Sequence, residues 1–197
     1  MTAIPPLTPR RDILDFLLTR RSRPAKTLGL PVPDRTTVET LLQAAARSPD
    51  HGKLEPWRFI VLERSACLRL ADLTAARGAE AGLDREKVAK SRRSFADAHL
   101  VVAVTASPAP SEKVPEVEQI LSAGAVCLAL LNAGLAAGWG ANWLSGWMAL
   151  DREFLTRGLD LATHEFVAGF IHLGHEGAVP PDRPRPDLAR ITTWVSE

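Results

Sequence analysis

Hydrophobic and polar positions follow two different spacings along the chain, one typical of helices and one of strands. Helices are predicted where apolar side chains recur every three or four residues, or where a capping residue opens a segment. They begin near Pro9, Asp34 or Thr36, Ser65, Asp84, Pro115 and Asp151. Apolar runs with many β-formers predict core strands at residues 57–62, 100–105 and 165–174. The chain is therefore expected to combine helices and strands.

The helix predicted at residues 116–137 is apolar on nearly all of its sides. A helix of this kind has to be covered all round, either by its own fold or by a second subunit. The small residues from Ser122 to Ala125 would allow another backbone to approach closely. The longest apolar run, residues 123–139, is interrupted by Asn132 and several glycines, so we expect it to fall short of a membrane span.

Composition narrows the choice of partner. The 197 residues are 46% hydrophobic and 24% charged, which predicts a single globular domain over residues 1–197. A formal net charge of +1 offers no basic field for nucleic acid or for an anionic membrane, so a small-molecule or protein partner is favoured. The first six residues lack the features of a secretion signal, and a cytoplasmic protein is expected.

Neither the cysteines nor the histidines predict a metal or redox site. Cys67 and Cys127 lie far apart in apolar helical settings and are expected to be buried thiols. His172 and His175 fall on opposite faces of a predicted strand, and no cysteine or carboxylate completes a ligand set with them and His164, so no metal is expected. Tyrosine is absent, which removes one common proton donor from any mechanism.

A polar loop between the second helix and the first core strand is the strongest candidate for an active site. Pro49 cannot continue the helix, and Gly52 and Pro56 fix the path of residues 47–57. Nearly all of the side chains in this loop can form hydrogen bonds. Loops held between a helix and a strand are where binding groups collect.

Two arginines and a serine, Arg20, Arg21 and Ser22, follow the first helix. Arginine offers a planar fork of donors and serine a small one, which suits a phosphate. A solvated helix end, where cations favour the helix dipole, explains the same residues. A second basic run, at residues 84–93, is most simply interpreted as a solvated face.

Glycines and tryptophans are interleaved over residues 138–147, and the glycines favour a turn and a strand over a helix. Glycines let a backbone approach a flat ligand closely, whereas tryptophans are more often core residues. The tail has several prolines at residues 180–186, followed by a β-rich segment at residues 191–195. It is expected to be an exposed arm that adds a strand, with a partner subunit as one recipient.

Taken in order, these segments resemble the nitroreductase family. That family has a first helix ending in Arg-(Arg/His)-Ser, a Pro-Ser-Ser-x-Asn-x-Gln-Pro-Trp loop, a long apolar helix and a Gly-x-Gly-x-x-Trp stretch. The loop looks most like the branch that writes it Pro-Asp-His, as residues 49–51 do. The resemblance implies an α+β, nitroreductase-like fold, with a central, mostly antiparallel sheet flanked by helices and a domain-swapped tail in a homodimer.

The resemblance also implies FMN in two interface sites, with NADH or NADPH as electron donor. Each site would take the arginine cluster from one subunit and the loop from the other. The implied cofactor-binding residues are Arg20, Arg21, Ser22, His51, Lys53, Glu55, Trp57, Gly140, Trp143, Ser145, Gly146, Arg183 and Arg185. Lys53 and Glu55 replace the family's Asn and Gln, and they would either contact the flavin or pair with each other.

The implied activity is the reduction of nitroaromatics, quinones or related small-molecule acceptors by a ping-pong mechanism. Flavin N5 would carry the hydride, and no side chain is assigned as catalytic, although His51, Lys53 and Glu55 would line the site. The alternatives are a flavin-binding sensor or carrier without turnover, and a relative that performs a specific dehydrogenation or dehalogenation. No Gly-x-Gly-x-x-Gly, Walker loop or Gly-x-Ser-x-Gly motif supports a Rossmann site, nucleotide hydrolysis or serine hydrolysis.

Overall fold

The longest strand, β5, holds the sheet together. The computed structural model describes Ile4 and residues 6–197, so most of the N-terminal segment considered above as a signal lies outside the described residues. The strands in chain order are β1 Leu28–Gly29, β2 Trp57–Glu63, β3 Leu100–Ala106, β4 Gly140–Leu144 and β5 Phe166–Glu176. Both β3 and β4 pair with the middle of β5 and so lie on opposite sides of it, while β2 pairs with β3 and β1 with the end of β5. All of these pairs are antiparallel, which confirms the predicted sheet.

Helices cover both faces of this sheet. In chain order they are α1 Arg11–Thr19, α2 Arg35–Ala45, α3 Arg64–Glu80, α4 Arg85–Ala96, α5 Glu116–Ala136, α6 Arg152–Leu159 and α7 Leu188–Ile191. Helices α2 and α5 lie on one face, and α3, α4 and α6 pack together on the other. Asp34, Asp84 and Asp151 each accept a hydrogen bond from a backbone N–H of the first turn that follows, as expected of helix caps. The prediction of an α+β fold is confirmed.

Alternation along β3 divides the core between the two helical layers. Val101 and Ala103 point into the cluster formed with α3 and α6. Val102 and Val104 point into the cluster formed with α2 and α5. All seven residues of β3 are buried, as its continuous apolar sequence predicts for a strand covered on both faces.

Helix α5 has one buried side and one exposed apolar side. Val126, Leu130 and Leu131 lie on its buried side against the sheet, whereas Leu121 and Leu128 are exposed. The helix has 21 residues and a mean hydropathy of 1.7 over its most apolar window, so it is long and apolar enough to cross a membrane. Length and composition alone do not make this helix a membrane span, because a buried core helix meets the same criteria. In this fold, α5 packs on β3, β4 and β5 as a core helix.

The two ends of the chain leave apolar side chains at the surface. Helix α1 buries none of its residues, and its Leu18 is 67% exposed. In the tail, Trp194 is 92% exposed. The β-rich tail forms no strand within the described chain. It contains the short helix α7, capped by Asp187, because β-forming residues alone do not make a strand when no sheet edge lies beside them.

Candidate functional site

The loop before β2 has an unusual backbone. Gly52, Lys53 and Glu55 have φ angles of 75°, 54° and 48°, all in the left-handed region. That region favours glycine, and for Lys53 and Glu55 it costs free energy. The Asp50 carboxylate offsets part of this cost by accepting hydrogen bonds from the backbone N–H groups of Leu54 (3.2 Å) and Glu55 (2.8 Å). The loop therefore has a fixed, strained path, which is common at functional sites.

Side chains of α5 form hydrogen bonds that hold the same loop in place. Ser122 Oγ donates to the Pro49 carbonyl at 2.7 Å and accepts from Trp57 Nε1 at 3.2 Å. His51 Nδ1 lies 2.7 Å from Glu118 Oε2. The side chains of Lys53 and Glu55 are exposed, and among the described residues no ion pair joins them. Trp57 is thus a structural anchor, while His51, Lys53 and Glu55 lie on the outer side of the loop.

The arginines after α1 meet those of the tail at a second place. Arg20, Arg21 and Ser22 line a cavity of about 430 Å³ together with Arg183 and Arg185. Arg20 Nη2 donates to Ser22 Oγ at 2.9 Å, but the Nε atoms of Arg20 and Arg21 are buried without a hydrogen-bond partner. The structure therefore brings the three residues predicted to suit a phosphate together with Arg183 and Arg185 from the predicted cofactor-binding set.

Charge makes this cluster unfavourable without an anion. Burial lowers the pKa of Arg20, and the cations Arg185, Arg21 and Arg23 lower it further. Buried, unpaired guanidinium donors cost free energy, and so do like charges held close together. In the part of the chain that the structure describes, Asp182 pairs with Arg185 at 2.8 Å on the exposed side and Glu176 pairs with Arg23, while Arg20 and Arg21 form no ion pair. A phosphate would satisfy the free donors and offset the repulsion.

A third set of residues lines a cavity of about 620 Å³ beside the arginine cluster. Its walls are apolar at Pro24, Ala25 and Leu144 and cationic at Lys26, Lys90 and Arg93, with Ser94, Asp97 and Asn142 completing the lining. The backbone N–H of Arg23 donates to Ala141 at 2.9 Å, and Asn142 Nδ2 donates to the carbonyl of Arg23 at 2.5 Å. Strand β4 therefore fixes the chain segment that joins the two cavities.

Sequence reasoning missed Lys26, Lys90 and Arg93. The run at residues 84–93 was expected to be only a solvated face, yet Lys90 and Arg93 face this cavity although both are exposed. One signal was present in the sequence. Residues 90, 93, 94 and 97 follow the helical spacing of a single stripe, and all four line the cavity.

The glycine and tryptophan stretch divides between the two faces of the sheet. Asn142 and Leu144 pair with His172 and Phe170 on the α4 side, whereas Trp143 pairs with Ile171 on the α5 side and covers Gly169. Trp143 therefore lies on the opposite face from the 620 Å³ cavity of its own chain. The predicted contacts of Trp143 and Gly140 with a flavin remain predictions.

Gly140 has a packing role of its own. A Cβ atom there would lie 2.5 Å from Leu28 Cδ2 and 3.1 Å from the carbonyl oxygen of Gly174. Gly146, with φ 111°, needs a conformation that other residues rarely adopt. Ser145 and Gly146 are exposed directly after Leu144, at the end of the strand that lines the cavity.

Within one chain, the loop and the cation-lined cavities are far apart. Trp57 pairs with Ala106 and Ala106 with Phe166, whereas Asn142 pairs with His172. Positions 166 and 172 lie about 20 Å apart along β5 at ~3.4 Å per residue. The strand order β2-β3-β5-β4 adds about 14 Å across the sheet. The loop of a chain therefore does not complete the cavity of the same chain.

The larger cavity lies apart from the predicted site residues. A cavity of about 810 Å³ lies between residues 107–114 and the start of α5, but none of the predicted site residues lines it. Among the described residues, no group of three or more potential ligands for a metal occurs. His172 is buried, and burial lowers its pKa to about 4, so it is neutral near pH 7.

Comparison with known proteins identifies the family of this chain. The sequence pattern of the "Nitroreductase family" matches residues 19–175, most of the chain. The chain belongs to the nitroreductase family. The predicted resemblance is thereby confirmed, while membership of the Pro-Asp-His branch stays a prediction.

Relatives agree with this assignment. A Haemophilus influenzae protein named "Putative NAD(P)H nitroreductase" is 40% identical over 126 residues, or 64% of this chain and 67% of that protein. The Escherichia coli K12 protein named "Putative NAD(P)H nitroreductase YdjA" is 31% identical over 163 residues, or 83% of this chain and 87% of that protein.

Solved structures confirm the nitroreductase fold. A "Nitroreductase-like Family Protein" from Bacillus cereus superimposes with a TM-score of 0.76 at 20% identity, covering 98% of this chain and 99% of that one. A Desulfovibrio desulfuricans protein described as "a putative nitroreductase in complex with fmn" gives 0.71 at 22% identity, covering 93% and 96%. At these identities the likeness is one of fold.

Proposed function

We propose that this nitroreductase is an FMN-dependent oxidoreductase that takes electrons from NADH or NADPH. The observation that carries the proposal is the arginine cluster, whose buried Nε atoms at Arg20 and Arg21 have no partner in the described chain. Family membership and the names of the relatives support the choice of FMN and of NAD(P)H.

The residues present fit the phosphate of FMN. Arg20, Arg21, Ser22, Arg183 and Arg185 surround a cavity of about 430 Å³ and supply donors with a net positive charge. Arginine suits a phosphate because its donors are planar and can bind two oxygens at once. Burial lowers the pKa of Arg20 most and the neighbouring cations lower it further, and a dianion here would offset the repulsion from those cations. An anion would therefore stabilise the cluster more than water does.

The adjoining cavity of about 620 Å³ fits the flavin ring. Pro24, Ala25 and Leu144 offer apolar contact, and Asn142 lines the same cavity while its Nδ2 donates to the carbonyl of Arg23. Lys26, Lys90 and Arg93 are the cations of the same chain that line this cavity. Positive charge beside a flavin favours its reduced, anionic form.

The second half of each site would come from a partner subunit. Helices α1 and α5 expose apolar side chains that a monomer leaves in water, including Leu18 and Leu121 at 67% each. The loop lies far from its own cavity, so His51, Lys53, Glu55 and Trp57 would serve the cavity of the partner. The exposed tail, including Trp194, would be exchanged between the subunits.

When bound, FMN would accept a hydride from NADH or NADPH and pass the electrons to a nitroaromatic, a quinone or a related acceptor in a second step. Donor and acceptor would use the same cleft in turn, which predicts ping-pong kinetics. The residues of this chain bind the phosphate, orient the ring and exclude water from one of its faces. No side chain is needed to carry the electrons.

An absorbance spectrum tests the proposal most directly. Purified protein is expected to be yellow, to bleach under anaerobic addition of NADPH or NADH, and to recover its colour when a quinone or nitroaromatic is added. A yellow protein that does not bleach with either nucleotide is a flavin sensor or carrier. A colourless protein that does not bind added FMN contradicts the proposal.

A further inference from the structure

We infer that Glu118 is a positioning residue, which holds His51 so that its Nε2 atom gives a proton to the acceptor during reduction. The inference rests on the proposed function. It adds a source for the proton, which a flavin alone does not supply. Sequence reasoning placed His51 at the site but gave no role to Glu118.

The geometry fixes which nitrogen of His51 can change its protonation. Nδ1 lies 2.7 Å from Glu118 Oε2, and a carboxylate accepts hydrogen bonds, so Nδ1 carries a proton. Nε2 is then an acceptor in the neutral ring and a donor in the protonated ring. The His51 side chain is 60% exposed, so within its own chain Nε2 is not enclosed.

Both partners stand on rigid supports. Glu118 belongs to the first turn of α5, and the loop that carries His51 is tied to the same helix through Ser122 and to itself through Asp50. The other charged residues on the elements around His51 are Glu116 on α5, Asp50, Lys53 and Glu55 on the loop, and Lys113 beside Val114, which lies against Gly52. None of these forms an ion pair with His51 among the described residues, so Glu118 is its one charged partner there.

The chemistry requires a proton source. Reduction of a quinone to a hydroquinone takes up two electrons and two protons, and a hydride that originates from NAD(P)H supplies both electrons and one proton. The second proton has to reach the other oxygen. His51 would break its Nε2–H bond as the new O–H bond forms, leaving a neutral imidazole that regains a proton from water. Tyrosine, a common donor for this step, is absent from the chain.

Reoxidation by two different electron acceptors distinguishes proton donation by His51 from a merely structural role. Ferricyanide takes one electron and no proton, whereas a quinone needs both electrons and protons. The FMN-loaded enzyme is reduced with one equivalent of NADPH and mixed with either acceptor, and reoxidation is followed by absorbance. In Glu118→Ala, the ratio of the ferricyanide rate to the quinone rate is expected to rise about tenfold, and in His51→Gln about a hundredfold.

Glu116→Ala is the matched control. It removes the same charge from the same first turn of α5, and so it has the same effect on the helix dipole without touching His51. Its rate ratio is expected to equal that of the wild type. Equal slowing with both acceptors in Glu118→Ala, or no change in either, would overturn the inference.

A second measurement does not depend on turnover. Long-range proton–nitrogen NMR correlations of the histidine rings report which nitrogen carries the proton. In its neutral form, wild-type His51 is expected to hold its one proton on Nδ1, and neutral His51 in Glu118→Ala is expected to show a mixture of tautomers. A mixture in the wild type would refute the positioning role. Protein that fails to bleach with NAD(P)H would instead refute the proposed function, and the tautomer would still be measurable.

Discussion

The loop at residues 49–57 and the arginine cluster after α1 are both rich in polar groups, but they differ in how those groups are satisfied. The loop is bonded to itself and to α5 through Asp50, Ser122 and Glu118. The cluster holds like charges together and leaves buried donors at Arg20 and Arg21 without partners. The hydrogen bonds of the loop are thus satisfied within the chain, whereas the cluster would gain stability from an anion. The part of the chain with a fixed geometry is therefore not the part that needs a ligand.

The largest effect is expected from a charge on the exposed side of α5. It would separate the two subunits, and with them the loop of one subunit from the arginine cluster of the other. Ala125 lies between Leu121 and Leu128 on that side, and Ala125→Glu would place a carboxylate in the proposed subunit interface. An obligate interface buries about 2,000 Å² or more, and an unpaired charge in it costs several kcal/mol. Light scattering at micromolar concentration is expected to show a monomer, and the purified protein is expected to be colourless.

Ala79→Glu is the control for this change, because Ala79 is exposed on α3. It is expected to remain a yellow dimer. A stable monomer of Ala125→Glu that binds FMN stoichiometrically would show that the loop and the cluster do not need to come from two subunits.

Loss of one arginine from the cluster is expected to weaken cofactor binding strongly. A charge-assisted hydrogen bond is worth roughly 1.5–3 kcal/mol, so Arg20→Ala and Arg185→Ala should each raise the Kd for FMN about tenfold or more. Without FMN, Arg20→Ala should be as stable as the wild type or more so, because the repulsion is relieved. Fluorescence titration and thermal unfolding measure the two effects. Arg11→Ala, on the exposed side of α1, should change neither, and an unchanged Kd in Arg20→Ala would exclude the phosphate site.

Redox potentials indicate which region supplies charge to the flavin ring. Arg93→Met removes a cation from the proposed ring cavity and should make bound FMN harder to reduce, lowering its midpoint potential by about 20–40 mV for 1–2 kcal/mol. Lys53→Met should lower it as well, by a smaller amount, if the partner's loop reaches the ring. Lys87→Met on exposed α4 is the control. A potentiometric titration without a downward shift for Lys53→Met would argue against contact between Lys53 and the flavin.

The smallest expected effects test the strain in the loop. Asp50→Ala deprives two backbone N–H groups of their acceptor and should destabilise the protein by about 1–2 kcal/mol. Lys53→Gly relieves a left-handed lysine and should be neutral or stabilising by up to ~1 kcal/mol. Urea unfolding measures both changes. Destabilisation by Lys53→Gly would mean that the backbone at residue 53 is not under strain.

Most of the fold could be predicted from the sequence because its elements are long and regularly patterned. The continuous run at residues 100–105 predicted a strand covered on both faces, and β3 is buried throughout. The caps at Asp84 and Asp151 lie where expected. The tail was harder, because five β-forming residues do not determine a strand without a sheet edge to pair with.

The site was predictable only in part. Arg20, Arg21 and Ser22 are adjacent in sequence, so their clustering needed no tertiary information. Lys26 is far in sequence from Lys90 and Arg93, which both lie on α4, and the three share a cavity only because the fold brings α4, β4 and residues 24–26 together there. The face on which Trp143 lies depended on strand register, and a one-residue change in register would reverse it.

Helix α5 also has a consequence for the way the protein is made. During synthesis it leaves the ribosome as a 21-residue segment with the hydropathy of a membrane span, and β5, against which it packs, is complete only at Glu176. At roughly 5–20 residues per second, the forty residues between Ala136 and Glu176 take about 2–8 s to appear. For those seconds the nascent chain exposes this apolar segment before the strand that covers it has been made, and we expect chaperones and the membrane-targeting machinery to compete for it.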